Sequence, residues 1–132
     1  MSTSTTKSSR PLSPHLQIYK LTWTMVMSII HRVTGAGLYF GTLLLAWWLV
    51  SAAIGPGAFA TAKAVFGSFL GRLVLFGFTW ALFHHMIGGV RHFIWDLGRG
   101  FGEAERFLLA KITLGGSLAL TILTWIVAYA AN

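Results

Sequence analysis

Three long apolar stretches dominate the pattern of hydrophobic and polar positions along the chain. Residues 33–54 and 73–90 carry no formal charge, and residues 112–132 are apolar apart from small hydroxyl side chains and a final asparagine. About 20 apolar residues are needed to cross the hydrocarbon core of a bilayer as a helix. A lone strand cannot satisfy its backbone hydrogen bonds in lipid. The pattern therefore predicts an all-α integral membrane protein with three transmembrane helices.

The breaks between these stretches set the expected organisation, a single transmembrane domain over residues 1–132 in an up-down-up bundle. The predicted helices span residues 24–54, 64–95 and 107–130. Residues 1–20 are predicted to form a cytoplasmic N-terminal segment. Its second half contains two prolines and few helix-forming residues, which favours a non-helical strap on the cytoplasmic surface.

Composition agrees with a membrane protein and narrows the chemistry. The chain is 55% hydrophobic and 10% charged, whereas soluble domains carry about 25% charged residues. The sequence contains no cysteine, which excludes a disulfide scaffold, a thiolate zinc site and an iron–sulfur cluster held by this chain. Any metal centre here would have to use histidine or carboxylate ligands.

The basic residues predict an orientation. Of the ten Lys and Arg residues, only Lys63 and Arg72 fall in or beside the first loop. The positive-inside rule then places the N-terminus in the cytoplasm and the C-terminus in the periplasm. The short polar start resembles neither a signal peptide nor a transit peptide, so we expect a bacterial inner (plasma) membrane. The chain has a net charge of +7, and we expect membrane lipid as its partner. We do not expect it to bind nucleic acid.

Ionisable residues interrupt the second predicted helix, and in a spanning helix they are candidates for function. With the neighbouring residues of the same helix faces, they fall on two stripes along the helix surface. One stripe contains His85, Gly89, His92 and Asp96, and the other contains His84, Gly88, Arg91 and Trp95. A neutral imidazole about half a membrane deep suits axial ligation of a haem, and Gly88 and Gly89 would let a flat porphyrin approach. Alternatively, the histidines hydrogen-bond a neighbouring helix, with the glycines marking close packing, or they form a proton pathway. Spacing alone leaves these alternatives open, and also the choice between His84 and His85.

A second polar cluster opens the first helix. Ser28 and Arg32 are four residues apart, so their side chains share a helix face about 6 Å apart. Such a pair can hold the carbonyl of a quinone or the carboxylate of a haem propionate. The alternative is that Ser28 caps the helix and Arg32 extends to lipid phosphate. Both clusters belong to the same leaflet, which favours one shared pocket above His85.

At these residues the sequence resembles a known family, the cytochrome b subunit of succinate dehydrogenase (respiratory complex II). Three motifs carry the resemblance: Arg-Pro-Leu-Ser-Pro-His-Leu-Gln-Ile-Tyr at 10–19, Ser-Ile-Ile-His-Arg-Val-Thr-Gly at 28–35, and His-x-x-x-Gly-x-Arg-His-x-x-x-Asp at 85–96. They occur in the family's order and cover nearly the whole chain. In that family the subunit anchors a flavoprotein and an iron–sulfur protein. It shares a haem b and a ubiquinone site with a second small membrane subunit.

The resemblance also implies roles for individual residues. The family's haem histidine stands four before the glycine and seven before the last histidine of the third motif, which selects His85 as the axial ligand. Ser28 and Arg32 are implied at the quinone. The implied propionate or pocket neighbours are His31, Arg32, Arg91, His92 and Asp96. Since His92 lies about 10 Å further along the helix, the second iron ligand is expected from the partner membrane subunit.

The expected function is therefore that of a membrane anchor in succinate:quinone oxidoreductase. Electrons would pass from succinate to quinone in the respiratory chain and citric acid cycle, with FAD and iron–sulfur clusters only on partner subunits. The chain would be part of an enzyme without being catalytic alone. The alternatives are a haemless fumarate reductase anchor and a small non-redox transporter or structural membrane protein.

Overall fold

The computed structural model describes residue 18 and residues 20–131, and this part of the chain is helical without strands. Its helices are α1 (Trp23–Ile54), α2 (Pro56–Gly67), α3 (Phe69–Asp96) and α4 (Glu103–Ala130). Three of them, α1, α3 and α4, are long and apolar enough to cross a membrane. The predicted all-α membrane fold with three spanning helices is confirmed. The predicted strap lies outside the described residues except for Ile18 and Lys20, and the up-down-up order across the membrane stays a prediction.

The first loop contains a fourth helix that the sequence analysis did not predict. Gly55 ends α1 with φ +136°, a backbone conformation that favours glycine. Pro56 then occupies the first position of α2, where its missing N–H costs nothing and its fixed φ suits a helix. The Gly55-Pro56 pair therefore ends one helix and starts another of 12 residues.

The structure also divides the predicted helix 64–95 into the end of α2 and the whole of α3. Ser68 separates them with an extended backbone (φ −65°, ψ 161°), and its Oγ accepts a hydrogen bond from the Gly71 N–H at 3.1 Å. A Cβ on Gly71 would overlap the Val65 carbonyl oxygen and lie 2.8 Å from the Phe66 Cα. The reversal between α2 and α3 is therefore tight enough to require glycine.

The bundle interior consists mainly of small and hydroxyl side chains. On α4, Thr113, Ser117 and Thr121 are buried, and each hydroxyl donates to a carbonyl one turn earlier in its own helix, at 2.7–2.9 Å. Large apolar side chains such as Tyr39 and Phe69 are exposed instead. This distribution is typical of membrane helices, in which small residues permit close packing and large ones face lipid.

α3 packs against both α1 and α4, with residues paired in opposite chain directions. Near one end His31 of α1 contacts His85 of α3, and further along a Cβ on Gly41 of α1 would overlap the Phe78 ring. These contacts fix where the ionisable residues of α1 and α3 meet.

Candidate functional site

The two adjacent histidines of α3 face different helices. His84 is fully buried (0% exposed), and its Nδ1 lies 3.4 Å from the Ser117 Oγ of α4. His85 is only half-buried and points toward α1. The separation follows from the rotation of about 100° per residue in an α-helix. His84 thus packs inside the bundle, whereas His85 lies at its edge.

His85 and His31 form a reciprocal contact between α3 and α1, here called the histidine pair. Their rings stack with centroids 4.1 Å apart and planes inclined by 15°. The His85 Nδ1–H donates to the His31 carbonyl at 3.1 Å, and the His31 Nε2–H donates to the His85 carbonyl at 3.3 Å. Because a carbonyl only accepts, the His85 proton resides on Nδ1, and the lone pair of Nε2 is free to bind a metal.

Two glycines make the histidine pair possible. A Cβ on Gly88 would overlap the His31 Cδ2 and lie 2.8 Å from its Nε2. A Cβ on Gly35 would lie 2.9 Å from the His85 Cε1. Each imidazole therefore occupies a notch that a glycine leaves in the opposite helix.

This packing corrects one expectation about the glycines. The space beside Gly88 holds the His31 ring, so it is not open to a flat porphyrin, as the sequence analysis supposed. Gly89 is half-buried, and a Cβ built there would meet nothing within 4 Å. Of these two glycines, only Gly89 has open space beside it where a porphyrin bound at His85 could approach the helix.

Arg91 carries a buried charge without a counter-ion in the described part of the chain. It is 5% exposed, its guanidinium lies 5.1 Å from the Trp95 ring centroid, and its Nε has no hydrogen-bond partner among the described residues. Within residues 20–131 the ion pair that the structure shows joins Arg106 to Glu103, at 3.9 Å. A buried guanidinium is costly unless paired, so this one is suited to an anionic group from outside the chain.

The histidine pair extends to a third imidazole at the end of α3. The His92 ring is exposed, with its centroid 5.1 Å from that of His31 and 5.0 Å from that of Trp95. Asp96, the last residue of α3, is also exposed, and its side chain makes no ion pair or hydrogen bond with another described residue. The described residues hold no group of three or more histidine or acidic side chains arranged around one metal ion.

Ser28 and Arg32 lie on α1 with exposed side chains. Since α1 begins at Trp23 with Thr22 as its N-cap, Ser28 is in the second turn, and the interpretation of Ser28 as a cap is wrong. Neither side chain bonds another described residue, although most helical hydroxyls here bond their own backbone. No hydrogen bond or ion pair joins these two side chains to the histidine pair, so their two polar groups are available to an external partner.

Residues that the sequence analysis did not single out complete the site. The Thr34 Oγ1 donates to the His31 carbonyl at 2.9 Å, the same oxygen that accepts the bond from His85, and Gly35 follows directly. Both belong to the motif at 28–35, which was the available signal. Ser117 of α4 carried no comparable signal, because nothing in its own sequence neighbourhood indicates that it meets His84.

Comparison with known proteins adds an independent line of evidence. Residues 6–127 match a family model described as "Succinate dehydrogenase/Fumarate reductase transmembrane subunit". The chain is 43% identical to a succinate dehydrogenase cytochrome b556 subunit of Paracoccus denitrificans, covering 92% of this chain and 93% of the relative. It is 35% identical to the cytochrome b556 subunit of Rickettsia felis, with 89% and 91% covered. It is also 35% identical to the mitochondrial cytochrome b560 subunit of Mus musculus, with 87% and 73% covered.

Proposed function

Because this chain belongs to the family of succinate dehydrogenase/fumarate reductase transmembrane subunits, we propose that it holds haem b through His85 and binds quinone beside Ser28 and Arg32. It is a membrane-anchor subunit of succinate dehydrogenase, and it does not catalyse the reaction alone. The haem follows from the cytochrome b relatives, and the assignment of residues rests on the geometry.

The observation that carries the haem proposal is the hydrogen bond from the His85 Nδ1–H to the His31 carbonyl, at 3.1 Å. Histidines that bind metals commonly donate their other ring N–H to a carbonyl, which fixes ring orientation and tautomer. His85 has this arrangement and is half-buried at the edge of the bundle. His84 is enclosed against Ser117, which leaves a porphyrin no access. The ring nitrogens of His85 therefore fit haem ligation. A haem bound there would supply one-electron redox chemistry.

Cationic and polar side chains at the same end suit the haem propionates. The unpaired, buried guanidinium of Arg91 supplies a donor that no described residue satisfies, and an Arg–carboxylate bond is among the stronger hydrogen bonds. The His92 ring contacts the His31 ring, with centroids 5.1 Å apart, and offers a further ring N–H, whereas the His31 Nε2–H is already bound to the His85 carbonyl, so His31 is expected only as a neighbour of the propionates. Arg32 and Asp96 complete the expected surroundings.

The second haem ligand comes from another chain under this proposal. His92 is seven residues from His85, about 10 Å along the helix, too far to reach the same iron. The remaining complex comprises a second small membrane subunit, an iron–sulfur subunit and a flavoprotein carrying FAD. We place it in the bacterial inner membrane with the N-terminus cytoplasmic and the C-terminus periplasmic.

The quinone proposal rests on two polar groups that have no partner among the described residues. A ubiquinone carbonyl needs hydrogen-bond donors, and Ser28 and Arg32 offer a hydroxyl and a guanidinium four residues apart on one face of α1. These side chains orient the quinone and stabilise negative charge that develops on its oxygens as it is reduced. The electrons originate from succinate on the flavoprotein.

The adjacent histidines provide the test. We expect the affinity-purified complex to show a b-type band in its reduced-minus-oxidised spectrum, and His85→Ala to lose nearly all of it. His84→Ala, the matched control one residue away, should retain the band. Loss of the band in His84→Ala alone would reverse the assignment.

The composition of the purified complex separates the competing functions. Co-purification of a flavoprotein and an iron–sulfur protein supports the anchor role. The same partners without any b-type band would indicate a haemless fumarate reductase anchor. Stable purification of the chain alone, colourless, would indicate a transporter or structural membrane protein.

A further inference from the structure

The end of the bundle opposite the histidine pair contains two adjoining cavities that the function above does not use. The first, of about 490 Å³, is lined by residues of all four helices, including Trp48, Lys63, Arg72 and Tyr129. The second, of about 330 Å³, is apolar and is lined by residues such as Gly41, Val74 and Phe78. We call them the cationic cavity and the apolar cavity.

The two cavities share three residues, Trp48, Phe66 and Leu75. From there the apolar cavity extends toward the middle of the bundle, since Gly41 lies seven residues before Trp48 on α1, about 10 Å along the helix axis. Together they form one amphipathic space with a charged outer part and an apolar inner part.

No acidic side chain lies beside the two charges of the cationic cavity. Lys63 and Arg72 line the cavity, while the three acidic side chains of the sequence are at residues 96, 103 and 105, at the opposite end of the bundle. The Lys63 Nζ instead lies 5.9 Å from the Phe59 ring centroid. Both side chains are exposed, so a negative headgroup can reach them, and phosphate is the anion that Arg and Lys side chains commonly bind at a membrane surface.

The other lining groups of this cavity are of the kinds that are enriched at the level of lipid headgroups. Trp125 and Tyr129 line it, and the Trp125 Nε1–H donates to the Thr79 Oγ1 at 3.3 Å. Tryptophan and tyrosine are enriched at the boundary between headgroups and acyl chains. A ligand with an anionic head in this layer has its apolar tail directed along the shared wall into the apolar cavity.

From these observations we propose that the two cavities bind one anionic phospholipid, with its phosphate between Lys63 and Arg72 and an acyl chain in the apolar cavity. The lipid joins α1 and α2 to α3 and α4 at the end where the histidine pair makes no contact. Inorganic phosphate shares the head chemistry but lacks the tail, so the apolar cavity distinguishes the two ligands.

The test uses the whole detergent-purified complex, stripped of lipid and titrated with dioleoyl phosphatidylglycerol while bound lipid is counted by native mass spectrometry. Each membrane-proximal cation contributes roughly a fivefold gain in affinity for an anionic lipid. Lys63→Gln and Arg72→Gln should each weaken binding about fivefold, and the double variant about 30-fold. The charge-matched control, Arg99→Gln with Lys111→Gln at the opposite end, should leave this binding unchanged.

Three further arms define the outcome. Dioleoyl phosphatidylcholine, with the same tails and no net charge, should bind equally to wild type and double variant. Lys63→Arg with Arg72→Lys should restore phosphatidylglycerol binding, which separates charge loss from misfolding. Inorganic phosphate should fail to displace the lipid. Equal phosphatidylglycerol binding by wild type and double variant, no binding to wild type, or displacement by phosphate would each overturn the proposal.

Discussion

Gly88→Ala is the sharpest test of the histidine pair, because the added methyl group and the His31 ring would occupy the same space. Forcing an extra carbon into a packed site costs about 1–3 kcal/mol. Moving the ring also loses its 3.3 Å bond to the His85 carbonyl, worth about 0.5–1.5 kcal/mol. The higher helix propensity of alanine offsets about 0.5–1 kcal/mol of this loss of unfolding free energy. The net effect should be a loss of about 0.5–4 kcal/mol of unfolding free energy.

The control is Gly77→Ala on the same helix, where a Cβ would meet nothing within 4 Å. Only the gain in helix propensity applies there, so this variant should be unchanged or slightly more stable. Both can be compared by titrating the purified complex with sodium dodecyl sulfate, following helix content and the b-type band together.

A double-mutant cycle with His31→Ala isolates the contact. Removing the imidazole makes room for the methyl group, so Gly88→Ala should cost little in the His31→Ala background. The coupling between the two positions should be about 1–3 kcal/mol, as for residues in direct contact. An equal cost of Gly88→Ala in both backgrounds would falsify the proposed packing.

Other predictions concern the remaining parts of the chain. Gly71→Ala should destabilise the complex by about 1–3 kcal/mol, since its Cβ would overlap the Val65 carbonyl oxygen. The control Gly67→Ala has open space around the added Cβ and should leave the stability unchanged. Equal thermal stabilities of the two variants would contradict the tight reversal at Gly71. Ser28→Ala should lower the succinate–ubiquinone reductase rate while succinate reduction of an artificial acceptor stays intact, and parallel loss of both rates would indicate an assembly defect instead. Ser117→Ala should cost about 1 kcal/mol of stability by removing the 3.4 Å contact with His84 and leave the b-type band unchanged; a shifted band would argue that His84 is near the haem.

The length of the apolar stretches was sufficient to predict the three spanning helices. In lipid, only a helix lets a single apolar stretch form all of its backbone hydrogen bonds internally. The helix α2 was missed because a 12-residue segment is too short to give a membrane-spanning signal. The break at Ser68 was missed for a related reason. It depends on the side-chain cap to Gly71 and on close approach to Val65, neither of which appears as a change in hydropathy.

The candidate site shows the same limit. Helical spacing alone separated the stripes of His84 and His85, but it could not show which stripe faces inward. That depends on the partners supplied by other helices, Ser117 on α4 and His31 on α1. The family motif selected His85 without this information, and the geometry supports the selection for a physical reason, since only His85 combines a held Nδ1 with a half-exposed ring.

The exposure of the site residues indicates why one chain is not enough to complete the proposed site. Ser28, Arg32 and Asp96 are exposed and His85 is half-exposed, yet an ionisable or hydrogen-bonding group facing lipid costs a few kcal/mol. Beside the histidine pair, His84 and the small hydroxyl residues of α4 already fill the contact between α3 and α4. The polar groups of the site therefore lie on the outer wall of the bundle, where the proposed second membrane subunit would cover them. Assembly would then offset the cost of the exposed polar groups and enclose the proposed haem and quinone in the same step.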